Sequence, residues 1–452
     1  MLSWSASLPV AEQSGPRPTL GLRHVVALCV GVVIGAGIYR SPSLVAGASG
    51  DPGTFLLTWL AGGLLSIVGA LCYAELASTY PSAGGDYHFL SRAFGSRIGF
   101  LYAWARLSVI QTGSLALLAF VFGDYTAALI DLGPSGPAIL AAVLIVALTA
   151  INMIGIRQGA GTQVWLTVVE VGGLVTLIVV GLLLAPAAPA EIAAPAAGEA
   201  SLGLTLVFVL LTYGGWSEAV YVSAELRDAR RRIGWALIAS LIIVTALYLL
   251  VNLAYLRVLG LGGIAASDAV AANVMRRAFG EGGALAISLL VAVSAVTSAN
   301  ATAITGARTT YSIGRRFPAL GWLGRWDDAR GTPGNALLLQ GGVALLLVLA
   351  GAFSRDGFRL AVEFTAPVFW LFLLLVGVAL FVLRAREPDV DRPFPVPLYP
   401  LLPIIFCVTS AYLLYSSVAY TGLGALVGVG VLIAGALLLL FVRPPPLFEE
   451  SD

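Results

Sequence analysis

Apolar runs alternate with short polar segments along most of this chain. A transmembrane helix needs about 20 mostly apolar residues, and the runs reach that length. The predicted spans are 22–48, 54–79, 97–130, 136–155, 162–185, 202–226, 233–257, 281–312, 335–353, 358–384, 400–418 and 421–442. The pattern therefore predicts an all-α membrane protein with twelve transmembrane helices.

Glycine clusters interrupt the first and the sixth of these spans, at Gly35-Ala36-Gly37 and at Gly214-Gly215. Glycine costs a helix about 1 kcal/mol relative to alanine. In lipid, a freed backbone group costs several kcal/mol unless a partner satisfies it. Matched breaks in two halves of a chain indicate the substrate site of a transporter. The alternative is that these glycines only allow close packing of helices.

Composition and charge agree with a multi-pass protein of the cell membrane, of the bacterial inner-membrane kind. Of the 452 residues, 59% are hydrophobic and 11% are charged, whereas soluble proteins carry about 25% charged residues. Of the 25 basic residues, 17 fall in the termini or in loops on one side, which places both termini in the cytoplasm. A net charge of +1 gives no reason to expect nucleic acid.

Helix order predicts two inverted units of five helices with two helices added. We divide the chain into a cytoplasmic tail, a first repeat, an external linker, a second repeat, a final helix pair and a second tail, at 1–20, 21–185, 186–201, 202–384, 385–442 and 443–452. No cofactor, metal spacing or obligatory protein partner is indicated. A membrane-embedded sensor or enzyme is the alternative outside the transporter class, but no catalytic motif supports an enzyme.

The two breaks predict complementary binding groups. Carbonyl groups end the first half-helix near Ile34, and the next half-helix begins near Ile38 with its amides facing the gap. Free amides and the helix dipole favour an anion, while carbonyls of the second break can hold an ammonium group. Together they fit a zwitterion such as an amino acid, with the lipid bilayer as surroundings.

Several ordered motifs resemble the amino acid–polyamine–organocation superfamily, most closely its L-type amino acid transporter branch. They lie at 35–42, 73–76, 80–87, 93–95, 213–216, 224–228, 298–308, 331–336, 386–389 and 392–394. The resemblance covers about residues 20–440. It implies the LeuT-type five-plus-five fold and alternating-access transport of amino acids or related amines. We predict small or medium neutral L-amino acids as the substrates. Cationic amino acids or polyamines are the alternative.

The resemblance also implies roles for the residues of both breaks. Backbone amides around Gly35, Ala36 and Gly37, flanked by Ile34 and Ile38, would bind the substrate carboxylate. Carbonyls of Tyr213, Gly214 and Gly215 would bind the amino group, and Trp216 would line or gate the side-chain pocket.

Glu170 departs from the family pattern, because many members of this branch carry a lysine at the matching place. An ionisable group in mid-membrane costs roughly 2.5–3.5 kcal/mol and indicates a function. Glu170 either takes up and releases a proton that drives transport or forms a fixed ion pair with Arg106.

Among the remaining polar residues of the spans, several have two interpretations. Glu218 either contacts a cationic substrate group or sits at a half-helix end, and Arg40 either contacts an acidic substrate or serves as an external gate. Glu75 and Glu225, beside Arg92, Arg97 and Arg227, predict inner-gate ion pairs. Thr297 and Ser298 either ligate sodium or bond backbone carbonyls one turn earlier.

Overall fold

The computed structural model describes residues 26, 29–31, 33–82, 84–127, 129–130, 132–155, 160–188, 202–217, 229–327, 329–354, 356–420 and 422–440. Helices dominate this part of the chain. In order they are α1 Gly37–Ala48, α2 Pro52–Thr79, α3 Asp86–Phe94, α4 Ser96–Ala105, α5 Gln111–Ala127, α6 Gly136–Ile154, α7 Ala160–Val179, α8 Leu202–Thr212, α9 Ala229–Ala265, α10 Val270–Arg316, α11 Gly334–Ala352, α12 Gly357–Arg386, α13 Leu401–Tyr420 and α14 Gly422–Leu438. Short π-helices at Arg106–Ile110 and Val180–Leu184 continue α4 and α7.

The all-helical class predicted from the apolar runs is confirmed. Within the described ranges, nine helices are long and apolar enough to cross a membrane, and Leu202–Thr212 and Ala425–Leu438 are shorter apolar helices. Much of the first predicted span and the second half of the sixth lie outside the described residues. The count of twelve therefore stays a prediction.

Two predicted spans are parts of longer helical segments. The segment α9 runs on past the predicted end at 257, and α10 begins before 281. Each turns at a glycine with positive φ, Gly260 at 68° and Gly280 at 66°. Glycine adopts this conformation without steric cost, so each segment consists of two helices that meet at a kink.

The short helix α3 lies between two predicted spans, in a segment for which no helix was predicted. Its sequence is too short and too polar to span a membrane, yet Phe89, Leu90 and Ala93 on one face are buried against neighbouring helices. Packing of this amphipathic face stabilises a helix that has no span-length apolar signal.

Close approach of helices around the two breaks depends on glycines of α2. A Cβ on Gly63 would lie 2.5 Å from the Thr245 side chain of α9, and one on Gly62 would lie 2.3 Å from Val209 of α8. Small residues let membrane helices pack backbone to backbone. These contacts hold α8 and α9 against α2 and thereby position the second break.

Candidate substrate site and gates

The first helix break lies between Val33 and Gly37. Ile34 N–H still donates to the Val30 carbonyl at 2.8 Å, but Gly35 N–H donates to the Val33 carbonyl at 2.7 Å, which ends the regular ladder. The new helix α1 begins at Gly37, and its N-cap residue Ala36 provides no side-chain cap. The first amides of a helix have no partner within it, so this N-terminus offers donors to an anionic group.

The second break follows Thr212, where α8 ends. Gly215 has a φ of 99°, which favours glycine over any residue with a side chain. A Cβ on Gly214 would lie 2.8 Å from the Leu211 carbonyl oxygen. Both glycines are therefore required by the path of the backbone.

Tyr248 of α9 connects the two breaks, and the sequence analysis did not single it out. Its hydroxyl lies 2.8 Å from the Val33 carbonyl oxygen and 3.3 Å from the Thr212 carbonyl oxygen. The Thr212 hydroxyl is 2.7 Å from that of Ser41 on α1. The breaks thus lie side by side. A tyrosine within an apolar span carries no pattern that would have revealed this role.

The aromatic side chains of the second break point away from the first one. Tyr213 donates its hydroxyl to the Trp59 carbonyl at 3.0 Å, which leaves its main chain as the part able to bind a substrate. The Trp216 indole packs edge-to-face on Tyr73, with ring centroids 5.0 Å apart. It lies against α2 and lines a cavity there.

Glu170 is buried in α7. Its Oε1 atom has no hydrogen-bond partner, and the groups around the carboxyl are Ser294 of α10 and, within electrostatic range, the Tyr39 phenol of α1. No ion pair to Glu170 occurs among the described residues. The predicted alternative, a pair with Arg106, is wrong, because Arg106 Nη1 lies 3.2 Å from the Tyr102 hydroxyl instead.

Arg40 is the centre of a charge cluster made of Arg40, Asp124, Asp268 and Asp356, which we call the outer charge cluster after the side that the sequence predicts for it. Arg40 is 6% exposed. Its Nε atom lies 3.4 Å from Asp124 Oδ2, and its Nη2 atom lies 3.1 Å from Asp268 Oδ1 and 3.0 Å from Asp356 Oδ2. One guanidinium thereby ties α1 to α5, to the turn before α10 and to the start of α12.

A second contact between α1 and α5 joins the neighbouring residues Tyr39 and Tyr125. The Tyr125 hydroxyl of α5 donates to the Tyr39 carbonyl of α1 at 2.9 Å, and the two rings meet edge-to-face at 6.3 Å. Adjacent residues of α1 thus bind adjacent residues of α5, once by charge and once by a hydrogen bond. These two contacts hold α1 against α5.

Glu75 lies at the other end of the membrane with partners that the sequence did not predict. Its Oε1 atom is 2.7 Å from Arg384 Nε and 3.4 Å from Arg392 Nε. The backbone N–H of Val396 donates to its Oε2 at 2.6 Å. The expectation of pairs with Arg92 or Arg97 is wrong for Glu75, because α12 and the segment after it pack closer to this end of α2.

Arg92 instead binds Glu387 just beyond α12. Arg92 Nε lies 2.9 Å from Glu387 Oε1, and the Tyr80 hydroxyl donates to Oε2 at 2.9 Å. These donors, led by Arg92, hold the pKa of the Glu387 carboxyl below its usual 4.5. Burial and the bond to Glu387 raise the pKa of Tyr80 to about 12.

The profile of the family described as "Amino acid permease" matches residues 20–442. The chain belongs to this family. The permease is therefore a membrane transporter of amino acids and not an enzyme, as its sequence motifs predict.

Individual relatives cover most of the permease. It is 31% identical to the b(0,+)-type amino acid transporter 1 of Mus musculus over 408 residues, which are 88% of this chain and 82% of the relative. It is 30% identical to the large neutral amino acids transporter small subunit 2 of Homo sapiens, covering 93% and 79%. The serine/threonine exchanger SteT of Bacillus subtilis (strain 168) is 26% identical, covering 90% and 92%.

The remaining predicted site residues of the permease are partly accounted for. Thr297 Oγ1 donates to the Val293 carbonyl at 2.9 Å, the backbone-bonding alternative to a sodium ligand. Ser298 is half-buried beside it. Glu218 and Glu225 lie outside the described residues, so their predicted roles stay predictions.

Proposed function

We propose that the permease carries small or medium neutral L-amino acids across the cell membrane by alternating access. The observation that supports this is the juxtaposition of the two helix breaks under Tyr248. The uncapped amides at Gly37 match a carboxylate, and the adjacent second break supplies carbonyls for an ammonium group. An α-amino acid carries both groups a short distance apart.

A neutral side chain fits the described surroundings of the breaks. Residues 33–37 and 211–217 contribute apolar side chains, hydroxyls and glycine, with no carboxylate or guanidinium. The relatives support the same substrate class, since one is named an exchanger of serine and threonine and another a transporter of large neutral amino acids. A cationic substrate is the second candidate, favoured by the unpaired carboxyl oxygen of Glu170 and by Glu218.

We propose that Glu170 couples this transport to protons. A buried carboxylate without a cationic partner is costly to keep ionised, so proton uptake from one side and release to the other would accompany its change of surroundings. Tyr39 and Ser294 offer hydroxyls to either form. Sodium coupling at Thr297 and Ser298 has less support, because the Thr297 hydroxyl is already bonded to the backbone.

We propose that the outer charge cluster and the Glu75 contacts are gates that open alternately. Each joins different helices by buried charges, and alternating access requires each to break in turn. In the structure described above, both the Arg40 contacts and the Glu75 contacts are formed.

We propose that the permease works with both termini in the cytoplasm and without an obligatory protein partner. The positive-inside distribution of arginine supports the orientation. Cys29 and Cys72 are buried and Cys407 is half-buried in α13, so none of the chain's three cysteines is placed for a disulfide with a second protein.

The test is uptake of a panel of radiolabelled amino acids into proteoliposomes that contain the purified chain alone. Parallel series impose a pH gradient, a sodium gradient or an internal load of unlabelled amino acid. We expect saturable uptake of neutral amino acids, stimulated by internal amino acid or by an inward proton gradient. Uptake restricted to arginine, lysine or polyamines would favour the cationic alternative, and absence of any flux would contradict transport by the chain alone.

A further inference from the structure

One exposed side of α10 is apolar along the middle of the helix and cationic near its end. Leu289 and Val293 are 57% and 41% exposed, and Arg308 and Arg315 are exposed further along. At 3.6 residues per turn, these four side chains fall within an arc of about 100°. The two arginines follow Leu289 by about 28 and 39 Å, and the hydrocarbon core is about 30 Å thick. They therefore lie at or beyond its edge.

The segment after α10 folds back against the end of this helix. A Cβ on Gly314 would lie 2.2 Å from the Gly324 nitrogen, and one on Gly324 would lie 2.7 Å from the Arg315 nitrogen. Leu323 is 1% exposed and belongs to an apolar cluster with residues of α4 and α10. This close packing of two backbones places Arg325, the next residue of the segment, beside Arg315.

Two tryptophans of the same segment are partly exposed. The Trp326 side chain is 38% exposed, and its ring centroid lies 5.1 Å from that of Tyr311, one turn before Arg315. Trp322 is 46% exposed, and its carbonyl accepts a hydrogen bond from Asn335 Nδ2 at 2.7 Å. Tryptophan and tyrosine are enriched where a membrane meets water, because their rings are amphipathic. The aromatic side chains thus indicate the same membrane depth as the arginines.

Three arginines at this depth have no counter-charge. Arg308, Arg315 and Arg325 are exposed, and within the described ranges none of them forms an ion pair or a side-chain hydrogen bond. Asp327 of the same segment is paired with Arg330, with 3.7 Å between Oδ2 and Nε. The positive-inside rule accounts for arginine on this side of the membrane. It does not account for unpaired arginines gathered around an exposed aromatic pair.

We define Arg308, Arg315, Arg325 and Trp326 as the basic surface, and we propose that it binds the headgroup of an anionic phospholipid. A phosphodiester accepts paired hydrogen bonds from a guanidinium group. The acyl chains of such a lipid would lie along the apolar side of α10, and the indole would lie at the level of the headgroup. A soluble anion would use the arginines alone. Lipid binding here does not depend on the proposed transport function.

The test is competition between two lipids for the purified full-length chain in detergent, read by native mass spectrometry. Phosphatidylglycerol and phosphatidylcholine with identical acyl chains are added in equal amounts. We expect bound phosphatidylglycerol to exceed bound phosphatidylcholine. Each arginine near a membrane surface contributes about a fivefold preference for anionic lipid, so Arg308→Gln, Arg315→Gln and Arg325→Gln should each lower the ratio by about two- to fivefold.

The matched control is Arg330→Gln, which makes the same change of charge in the same segment but removes an arginine that is already paired. Its lipid ratio should equal that of the wild type, and Arg325→Lys should keep most of the preference. An unchanged ratio in the triple glutamine variant would overturn the proposal. Equal losses in Arg325→Gln and Arg330→Gln would also overturn it, because they would show a diffuse effect of net charge.

Two further measurements separate the lipid from a soluble anion and from loss of folding. Inorganic phosphate in tenfold excess over phosphatidylglycerol should not displace the lipid, and displacement would mean a site for a soluble anion instead. Phosphatidylglycerol should raise the unfolding temperature of the wild type and of Arg330→Gln by more than phosphatidylcholine does, and that of Arg325→Gln by less. An equal rise in all three proteins would contradict binding at the basic surface.

Discussion

The Tyr248 hydroxyl lies 2.8 Å from the carbonyl oxygen of Val33, at the point where the first helix breaks. The Val33 carbonyl accepts from the Gly35 N–H within the break, and Tyr248 of α9 supplies a second donor to it. The same hydroxyl lies 3.3 Å from the Thr212 carbonyl oxygen. The hydroxyl has one proton to donate, and the shorter distance assigns it to Val33, with the Thr212 carbonyl within reach of the same group.

Tyr248→Phe should impair transport, because it removes this donor while keeping the ring that packs against Tyr213 and Trp59. The Val33 carbonyl keeps its bond from the Gly35 N–H, so the variant loses one buried hydrogen bond, worth about 0.5–1.5 kcal/mol. This corresponds to about a two- to tenfold loss of rate if the cost falls on the transporting conformation. Initial uptake rates in proteoliposomes measure the change. Tyr255→Phe is the control, since the Tyr255 hydroxyl has no hydrogen-bond partner. Equal effects of the two variants would contradict the bridging role.

Arg40→Gln should open the outer side of the permease. The substitution leaves the carboxylates of Asp124, Asp356 and Asp268 without their common cation, and removing one partner of a buried pair costs about 3–5 kcal/mol. We expect a cost of about 3 kcal/mol, the lower end of this range. The Asp268 side chain is 86% exposed, so solvent screens its interaction with Arg40.

The measurement for this prediction uses Ser41→Cys, which places a thiol next to Arg40 in sequence and beside Thr212 at the second break. In the Arg40→Gln background, a membrane-impermeant maleimide added from outside should label this cysteine at least tenfold faster. Arg276→Gln is the control, because Arg276 pairs with Glu281, whose side chain is 81% exposed. Unchanged labelling in Arg40→Gln would show that another contact closes this side.

Glu170→Gln should abolish the response of uptake to an imposed pH gradient, since glutamine presents a similar shape without an exchangeable charge. Exchange of internal for external amino acid should persist. Uptake at several external pH values, with and without a gradient, measures this. The control is Glu281→Gln, which changes a carboxylate that is 81% exposed. Gradient-driven uptake that is unaltered in Glu170→Gln would rule out proton coupling at this residue.

Glu387→Gln should leave the shape of the pH profile unchanged above pH 5. The Arg92 hydrogen bonds lower the pKa of the folded carboxyl below 4.5, so the ion pair contributes fully above the unfolded pKa. That contribution is lost only as the pH falls through the lower folded value. Transport between pH 5 and pH 8 measures the profile. Loss in the variant of a titration that the wild type shows in this interval would mean that Glu387 is protonated during the cycle.

Gly215→Ala should destabilise the second break. At a φ of 99° an alanine Cβ is strained, at a cost of about 1–2 kcal/mol for the left-handed region. We expect a lower unfolding temperature and weaker transport. Gly430→Ala in α14 is the control, because a Cβ there meets no atom within 4 Å and alanine favours a helix. A stable, active Gly215→Ala protein would show that the break tolerates another conformation.

Some features of the permease depend on the local sequence pattern, and others depend on how its helices pack. Apolar runs of span length and glycine clusters are local features of the sequence. The helix bounds that they predict are therefore close to the observed ones. For Gly334–Ala352 and Leu401–Tyr420 the difference is within about two residues, the usual margin of helix assignment. The helix α3 and the partners of Glu75 were not predicted, because an amphipathic turn and an ion pair between residues 309 positions apart leave no local signal.

The amino-acid sequence by itself determined that this is an all-helical membrane protein of the amino acid permease family, with two helices interrupted at glycine. Hydrophobic length and glycine's cost in a helix are properties of short segments, so they can be read from the chain directly. Only the tertiary structure decided that Tyr248 bridges the breaks, that Arg40 gathers three carboxylates and that Glu170 lies apart from Arg106. Those relationships depend on which helix faces pack together, and that choice belongs to the folded molecule as a whole.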